Sequence, residues 1–287
     1  MKKKWDSMMK AVLLIALAAT LVLGISCKKA TEPPAPQTQT APAPATTEQP
    51  KPAAAQAAPT EAPKPAATTP VVAPAPAAQP AAAGGAKLVP IKIDLPKPMF
   101  VGTPQETKVD FLEPPLGKAR PDFLAPEGTV LLSKGKPVSA SDEEPIIGEI
   151  EMITDGDKEA ADGSYVELGP FAQYVTIDLE KQSELYAIVV WHYHKQPRVY
   201  FDVVVQLSND KDFITDVKTV FNNDRDNSAG QGIGKDMHYT ETNEGKLIDL
   251  LSQGSPKARY IRLYSNGNTS NELNHYIEVD VYGKPVE

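Results

Sequence analysis

The chain has 287 residues, 28 prolines, one cysteine and a formal net charge of −8. The acidic balance argues against nucleic acid and anionic lipid as partners of the folded part, and a single cysteine excludes an internal disulfide. Fourteen of the prolines fall between Pro33 and Pro80, and residues 28–87 contain no Leu, Ile, Met, Phe, Tyr or Trp. That stretch has nothing to bury and cannot offset the entropy of ordering, so the folded material is confined to residues 88–287, one domain's worth of chain.

Lys2, Lys3, Lys4 and Lys10 form a positive n-region, and an apolar run follows from Ala11 to Ser26. The run is shorter than the roughly 20 residues of a membrane span and suits the core of an export signal. It ends Leu23-Gly24-Ile25-Ser26-Cys27, which resembles the bacterial lipobox, where the thiol is diacylated and the signal cut before it. Leu23 stands one place further from the cysteine than the usual pattern has it. On that resemblance residues 1–26 are a lipoprotein signal peptide and Cys27 is the lipidation site. Lys28, rather than Asp, then implies the outer membrane of a Gram-negative cell envelope. The alternatives are an ordinary secreted protein with a free thiol and an uncleaved anchor helix. Cleavage removes four lysines and one aspartate, moving the net charge from −8 to −11. Two or three acyl chains anchor stably where one does not.

Residues 27–87 read as the lipidated cysteine and a disordered Pro/Ala-rich tether. It spans roughly 45 Å as a coil and roughly 180 Å as full polyproline. A plain spacer and a segment that threads the cell wall are both compatible with it. Residues 88–128 read as an extended arm broken by prolines. There Ile91, Ile93, Phe100, Val101 and Phe111 alternate enough for one or two short edge strands lying against the main domain.

From residue 129 short apolar runs recur between turn-formers: Val130–Leu132, Tyr174–Leu179, Ala187–Trp191, Tyr200–Leu207, Val217–Phe221, Leu247–Leu250, Arg259–Tyr264 and Tyr276–Tyr282. Their periods are those of half-buried or fully buried strands, and no amphipathic helix of three turns stands out. Residues 129–287 are therefore expected to fold as an all-β domain, a β-sandwich of the jelly-roll type.

Six blocks carry a resemblance. They are Lys134–Ala140, then Thr154-Asp155-Gly156-Asp157, Tyr174–Leu179, Leu207–Asp210, Ala258–Tyr264 and Ile277–Gly283. In this order, over about half the precursor, they resemble the discoidin or coagulation factor V/VIII type C domain, a galactose-binding-like β-sandwich. The family usually has a Trp soon after the Asp-Gly-Asp turn, where Tyr165 stands here, and Asn222–Glu244 is longer than the typical loop. The resemblance implies a structural Ca²⁺ held by Asp155, the carbonyl of Asp157 and Glu278, a hard-oxygen set that suits this ion. A plain Asp-Gly turn without an ion is the alternative.

Three loops offer polar chemistry. Trp191-His192-Tyr193-His194 leads into Arg198. Two histidines at i, i+2 on a strand share a face and could make a zinc half-site. Aromatic faces beside imidazole and guanidinium donors equally suit sugars, whose hydroxyls need paired hydrogen bonds. Asn223 and Asp224 lie in a second loop, and Asn266, Asn268 and His275 in and after a third; Asn and Gly runs are first of all turn-formers. The expected ligand-binding set is thus Trp191, His192, His194, Arg198, Asn223, Asp224, Asn266, Asn268 and His275. No nucleophile elbow, no His-Glu-x-x-His and no available cysteine points to catalysis. The expectation is a non-enzymatic, lipid-anchored envelope protein that binds a carbohydrate or cell-surface polysaccharide. A protein–protein or adhesion module in an envelope assembly is the competing class.

Overall fold

Turn-formers cut the chain into short extended segments, and among the described residues backbone pairing makes twelve of them strands. They are β1 (Leu88–Pro90), β2 (Leu124–Pro126), β3 (Val130–Leu131), β4 (Val138–Ala140), β5 (Val166–Leu168), β6 (Gln173–Trp191), β7 (Val204–Ser208), β8 (Lys218–Asn222), β9 (Lys246–Asp249), β10 (Lys257–Ser265), β11 (Asn274–Tyr276) and β12 (Glu278–Pro285). Among the described residues a single 3-10 turn, Ile150–Thr154, interrupts them. This computed structural model describes residues 87–100 and 107–286. The expected signal peptide, Cys27, the tether up to residue 86 and Val101 lie outside the described residues.

All strand pairs are antiparallel, and β6, 19 residues long, organises them. Its first half, Gln173–Asp178, pairs with β10 and, at Val175–Ile177, with β4. Its second half, Ser183–Trp191, pairs with β12 and, at Ala187–Val190, with β9. Between the halves Asp178 opposes Tyr260 while Ser183 opposes Ala258, so β6 bulges outward, with Glu180 at φ 65°. A bulge of this kind bends a strand and lets it change sheets. The eight strands form one hydrogen-bonded sheet folded over at β6, with β4–β6–β10–β7–β8 on one side of the fold and β3–β12–β6–β9 on the other. The fold is an all-β, jelly-roll β-sandwich, as the strand pattern led one to expect.

The core between the sheets takes Val175, Ile177 and Leu179 from the first half of β6, and Leu185, Ile188 and Val190 from the second. Val205, Leu207, Ile261, Leu263, Val279 and Val281 face them. A second apolar cluster forms on the outer side of the β12–β6 sheet. There Tyr186, Val189, Trp191, Ile277 and Tyr282 are buried with Phe123 and Ala125, and Ile91, Ile93 and Met99 pack against them. The strands of this N-terminal stretch are its two ends, β1 and β2, which pair with each other. Phe111 is in neither: it sits at φ 58°, exposed, under the Arg225 guanidinium.

Three details depart from the strand reading. Tyr174–Leu179 and Ala187–Trp191 belong to one strand, not two. β4 and β5 are three residues each, too short to show a period. Tyr200–Val203 is not strand, because its backbone bonds into loops: Phe201 N–H donates to the Gly267 carbonyl at 3.1 Å and Val203 N–H to Asn223 Oδ1 at 2.7 Å.

Candidate functional site

The nine expected ligand residues do not form one surface. Trp191 ends β6 with its ring on the arm side, fully buried, its Nε1–H donating to the Asn243 carbonyl at 3.0 Å. A side chain with no exposed area cannot meet a ligand, so Trp191 belongs to the core. His192 and His194 do not share a face either. Regular strand geometry stops at Trp191, so the alternation that would have aligned them does not continue. His192 Nδ1 meets Glu241 at 2.6 Å, whereas His194 Nε2 meets the Lys158 carbonyl at 3.0 Å. No zinc half-site is built from the pair.

The amide-rich loops hold themselves together. Asn223, fully buried, accepts from Val203 N–H. Asp224 accepts from the Ser228 and Ala229 N–H groups at 3.1 and 3.0 Å, and burial raises its pKa. Asn268 donates to Asn271 Oδ1 and the Leu273 carbonyl and accepts from Ser270 N–H. These are turn-fixing roles. Asn266 donates to Asp202 Oδ2 at 2.9 Å. Asp202, Asp224 and Asp226 bring carboxylate oxygens within 4.8 Å of one another around Ser228, which bonds to all three.

Arg198 and His275 do come together, with residues outside the expected ligand set. Tyr165 precedes β5, Glu167 lies in it, and His275 stands opposite Glu167 on β11. Tyr193 and Arg198 come from the loop after β6. That loop is pinned on both sides: Val199 bridges to Thr240, Tyr200 bridges to Asn268, and the Arg198 carbonyl accepts from Glu241 N–H at 2.8 Å. The Tyr165 and Tyr193 rings tilt at 55° with centroids 4.8 Å apart, and the Arg198 guanidinium lies 4.8 Å from the Tyr193 ring. Tyr165 and Arg198 are half-buried at the surface, while Tyr193 and Glu167 are just beneath it.

Behind this patch runs a buried polar chain. His275 Nε2 is 2.9 Å from Glu167 Oε2, and its Nδ1 is 3.0 Å from the Tyr200 hydroxyl. Tyr200 stacks on His192 at 4.4 Å, and His192 reaches Glu241. Burial, with the Arg198 charge and then His192 adding to it, holds His275 down to about 3 despite the carboxylate beside it. Its ring is therefore neutral and has one N–H. With Glu167 ionised, Nε2–H donates to that carboxylate and Nδ1 accepts from Tyr200. Burial raises the Glu167 carboxyl, and Arg198 opposes the rise. The order Tyr–His–Glu is that of a nucleophile relay, but Tyr200 is 1% exposed and burial lifts its hydroxyl pKa well above 10. The chain orients Glu167; it does not offer a nucleophile.

The calcium turn is only partly assembled from side chains. Asp155 and Asp157 are exposed and accept the N–H groups of Asp157 and Glu159 at 2.7 and 2.9 Å. Their carboxylates are not gathered with Glu278 as those of Asp202, Asp224 and Asp226 are with one another. Glu278 is fully buried. Its Oε2 accepts from Gly156 N–H at 3.0 Å and its Oε1 has no partner. Burial, with Asp280 and Asp155 nearby, raises its carboxyl to about 9. An orphaned buried oxygen facing an Asp-Gly-Asp turn fits a hard cation.

No protein-family model matches the chain, and no curated protein does. Solved structures are similar to part of it. A truncated AlyQ with CBM32 and alginate lyase domains is 19% identical, covering 55% of this chain and 34% of its own, with a TM-score of 0.40. This chain thus spans about a third of that protein. The CBM32 of AlyQ in complex with 4,5-unsaturated mannuronic acid is 22% identical over 50% of this chain and 92% of its own, with a TM-score of 0.35. A Streptococcus pneumoniae fucose binding module is 17% identical over 54% and 96%, with a TM-score of 0.37. At such low identity and overlap, what those proteins bind does not pass to this chain.

Proposed function

We propose that this protein is a non-catalytic glycan-binding module carried on a lipid anchor in the cell envelope. One observation carries the reading: the half-exposed Tyr165 and Arg198 meet at the Tyr193 ring, and Glu167, two residues from Tyr165, is held in place by His275. Aromatic rings offer an apolar platform to the C–H face of a sugar, and a fixed acceptor beside a fixed donor matches its hydroxyls. Tyr200 is too deeply buried to react with a substrate, which favours binding over catalysis.

The test is binding of the full chain to immobilised polysaccharides in native affinity gels, with release by free sugar. Tyr165→Ala should weaken retention roughly tenfold, the scale of a lost aromatic anchor. A protein partner that stays bound in excess sugar would instead favour the adhesion reading. The anchor has its own check: palmitate labelling of the cells should mark the protein and be lost in Cys27→Ser.

A structural Ca²⁺ at the Asp155–Asp157 turn belongs to the same reading, supported by the unpartnered Glu278 Oε1. It would tie that turn to β12 and take no part in ligand chemistry. Millimolar Ca²⁺ added to chelated protein should raise the melting temperature, by about 2.7 kcal/mol of stability at 100 times Kd. Glu278→Gln should remove the response.

A further inference from the structure

Five arginines occur among the described residues, and four of them are committed. Arg120 donates to the carbonyls of Gly245 and Glu244. Arg225 donates to those of Lys235 and Asp236. Arg259 makes a two-pronged pair with Asp178, and Arg262 meets the Thr176 hydroxyl and the Lys211 carbonyl. Arg198 alone meets no carboxylate or carbonyl, and its Nε is buried without a partner. Yet it is not loose. Its backbone is pinned at Glu241, its neighbours Val199 and Tyr200 are bridged to other loops, and its guanidinium lies on the Tyr193 ring.

A planar donor fork held rigidly at a half-buried position, without its anion, is arranged for an external one. Desolvating such a charge costs more than a surface ion pair returns unless a partner arrives, and guanidinium geometry matches a carboxylate with two parallel bonds. Glu167 does not fill that role, because it makes no ion pair with Arg198 and one of its oxygens is held by His275. Its other oxygen remains an acceptor for a hydroxyl.

We propose that the ligand of this patch is an acidic sugar, a uronic or similar carboxylated residue. Its carboxylate bonds the Arg198 guanidinium, a neighbouring hydroxyl donates to Glu167, and its ring lies on Tyr165. This rests on the glycan reading of the same patch and narrows it to one ligand class. The requirement for both charges together fixes orientation: a carboxylate turned toward Glu167 is repelled, and a neutral sugar leaves Arg198 unpaired.

The deciding experiment is calorimetric titration of the full chain with paired oligosaccharides. The probes are galacturonate, mannuronate, guluronate, glucuronate and sialic-acid oligomers, each beside its carboxyl-reduced counterpart, with neutral galactan and chitin oligomers alongside. At least one acidic oligomer should bind roughly tenfold to a hundredfold more tightly than its reduced form, the scale of a charge-assisted bond pair. Arg198→Gln should abolish that preference. Arg198→Lys, which keeps charge and stem over Tyr193 but not the fork, should retain only part of it, with an unchanged melting temperature showing that the fold is intact. Equal binding of an acid and its reduced form, or binding of neutral oligomers only, overturns the acidic-sugar proposal and leaves glycan binding standing. A preference that survives Arg198→Gln overturns the assignment to this residue. No binding to any oligomer overturns both.

Discussion

The two halves of β6 belong to one continuous strand, yet they live in different surroundings. In the first half Val175, Ile177 and Leu179 enter the core while Tyr174, Thr176 and Asp178 face outward, where Arg262 and Arg259 cover them. In the second half both sides are buried: Ile188 and Val190 in the sandwich, Val189 and Trp191 under Phe123, Ala125 and the isoleucines of the N-terminal stretch. The contrast teaches that Ile91, Ile93, Met99, Phe123 and Ala125 of the N-terminal stretch act as a third layer. They shield the outer side of one sheet, while the other sheet relies on arginines lying over aromatics. It also explains why the first half reads with period two and the second as an unbroken apolar run.

The contrast is broken most strongly at its apolar extreme. Trp191→Ala should cost about 3–5 kcal/mol in denaturant-midpoint experiments, because it opens a cavity that the arm and Asn243 cannot both collapse into. If the loss were no larger than for an exposed residue, the third layer would not be contributing. Gly245→Ala tests the same contact from the other side. Its Cβ would meet the Trp191 ring at 2.7 Å, and φ is +64°, so a loss of about 1–3 kcal/mol is expected from overpacking and strain.

At the end of the second half, the polar chain gives a pH signature. His275 titrates near 6.5 when unfolded and about 3 when folded, so below 6.5 the unfolded state binds a proton that the folded state refuses. Stability due to this site therefore falls with pH, by about 1.4 kcal/mol per unit. Measured as the difference between wild type and His275→Gln, wild type should lose about 2 kcal/mol relative to the variant between pH 6.5 and about pH 5. A constant difference would mean that His275 is already charged in the fold. The smallest effect belongs to the open half: Arg259→Ala removes a half-exposed pair with Asp178 and should shift the unfolding midpoint by no more than about 1 kcal/mol.

The site was less legible than the fold, for reasons that particular residues make plain. Arg198 and His275, named from two separate loops of the sequence, meet in one polar group in space. Trp191, His192 and His194 were grouped with them because they adjoin in sequence, but the strand ends at Trp191 and each ring turns to a different partner. Asn223, Asp224 and Asn268 look like ligand donors in sequence and are turn braces in space. Tyr165 and Glu167 lay outside the expected ligand set because β5 is three residues long and shows no period. They matter only because β11 sets His275 opposite Glu167, a pairing that 107 intervening residues hide.

The sequence by itself determined the class of fold, because apolar spacing and turn residues act over a few positions and need no partner to be read. It also led one to expect the folded material in the last 200 residues, since a stretch without large apolar side chains has nothing to bury. Tertiary structure alone decided that β6 crosses from one sheet to the other, that the arm covers Trp191, and that Arg198 has no internal anion. Those are facts about which distant segments meet. Burial and charge pairing are properties of such meetings, and no local pattern encodes them.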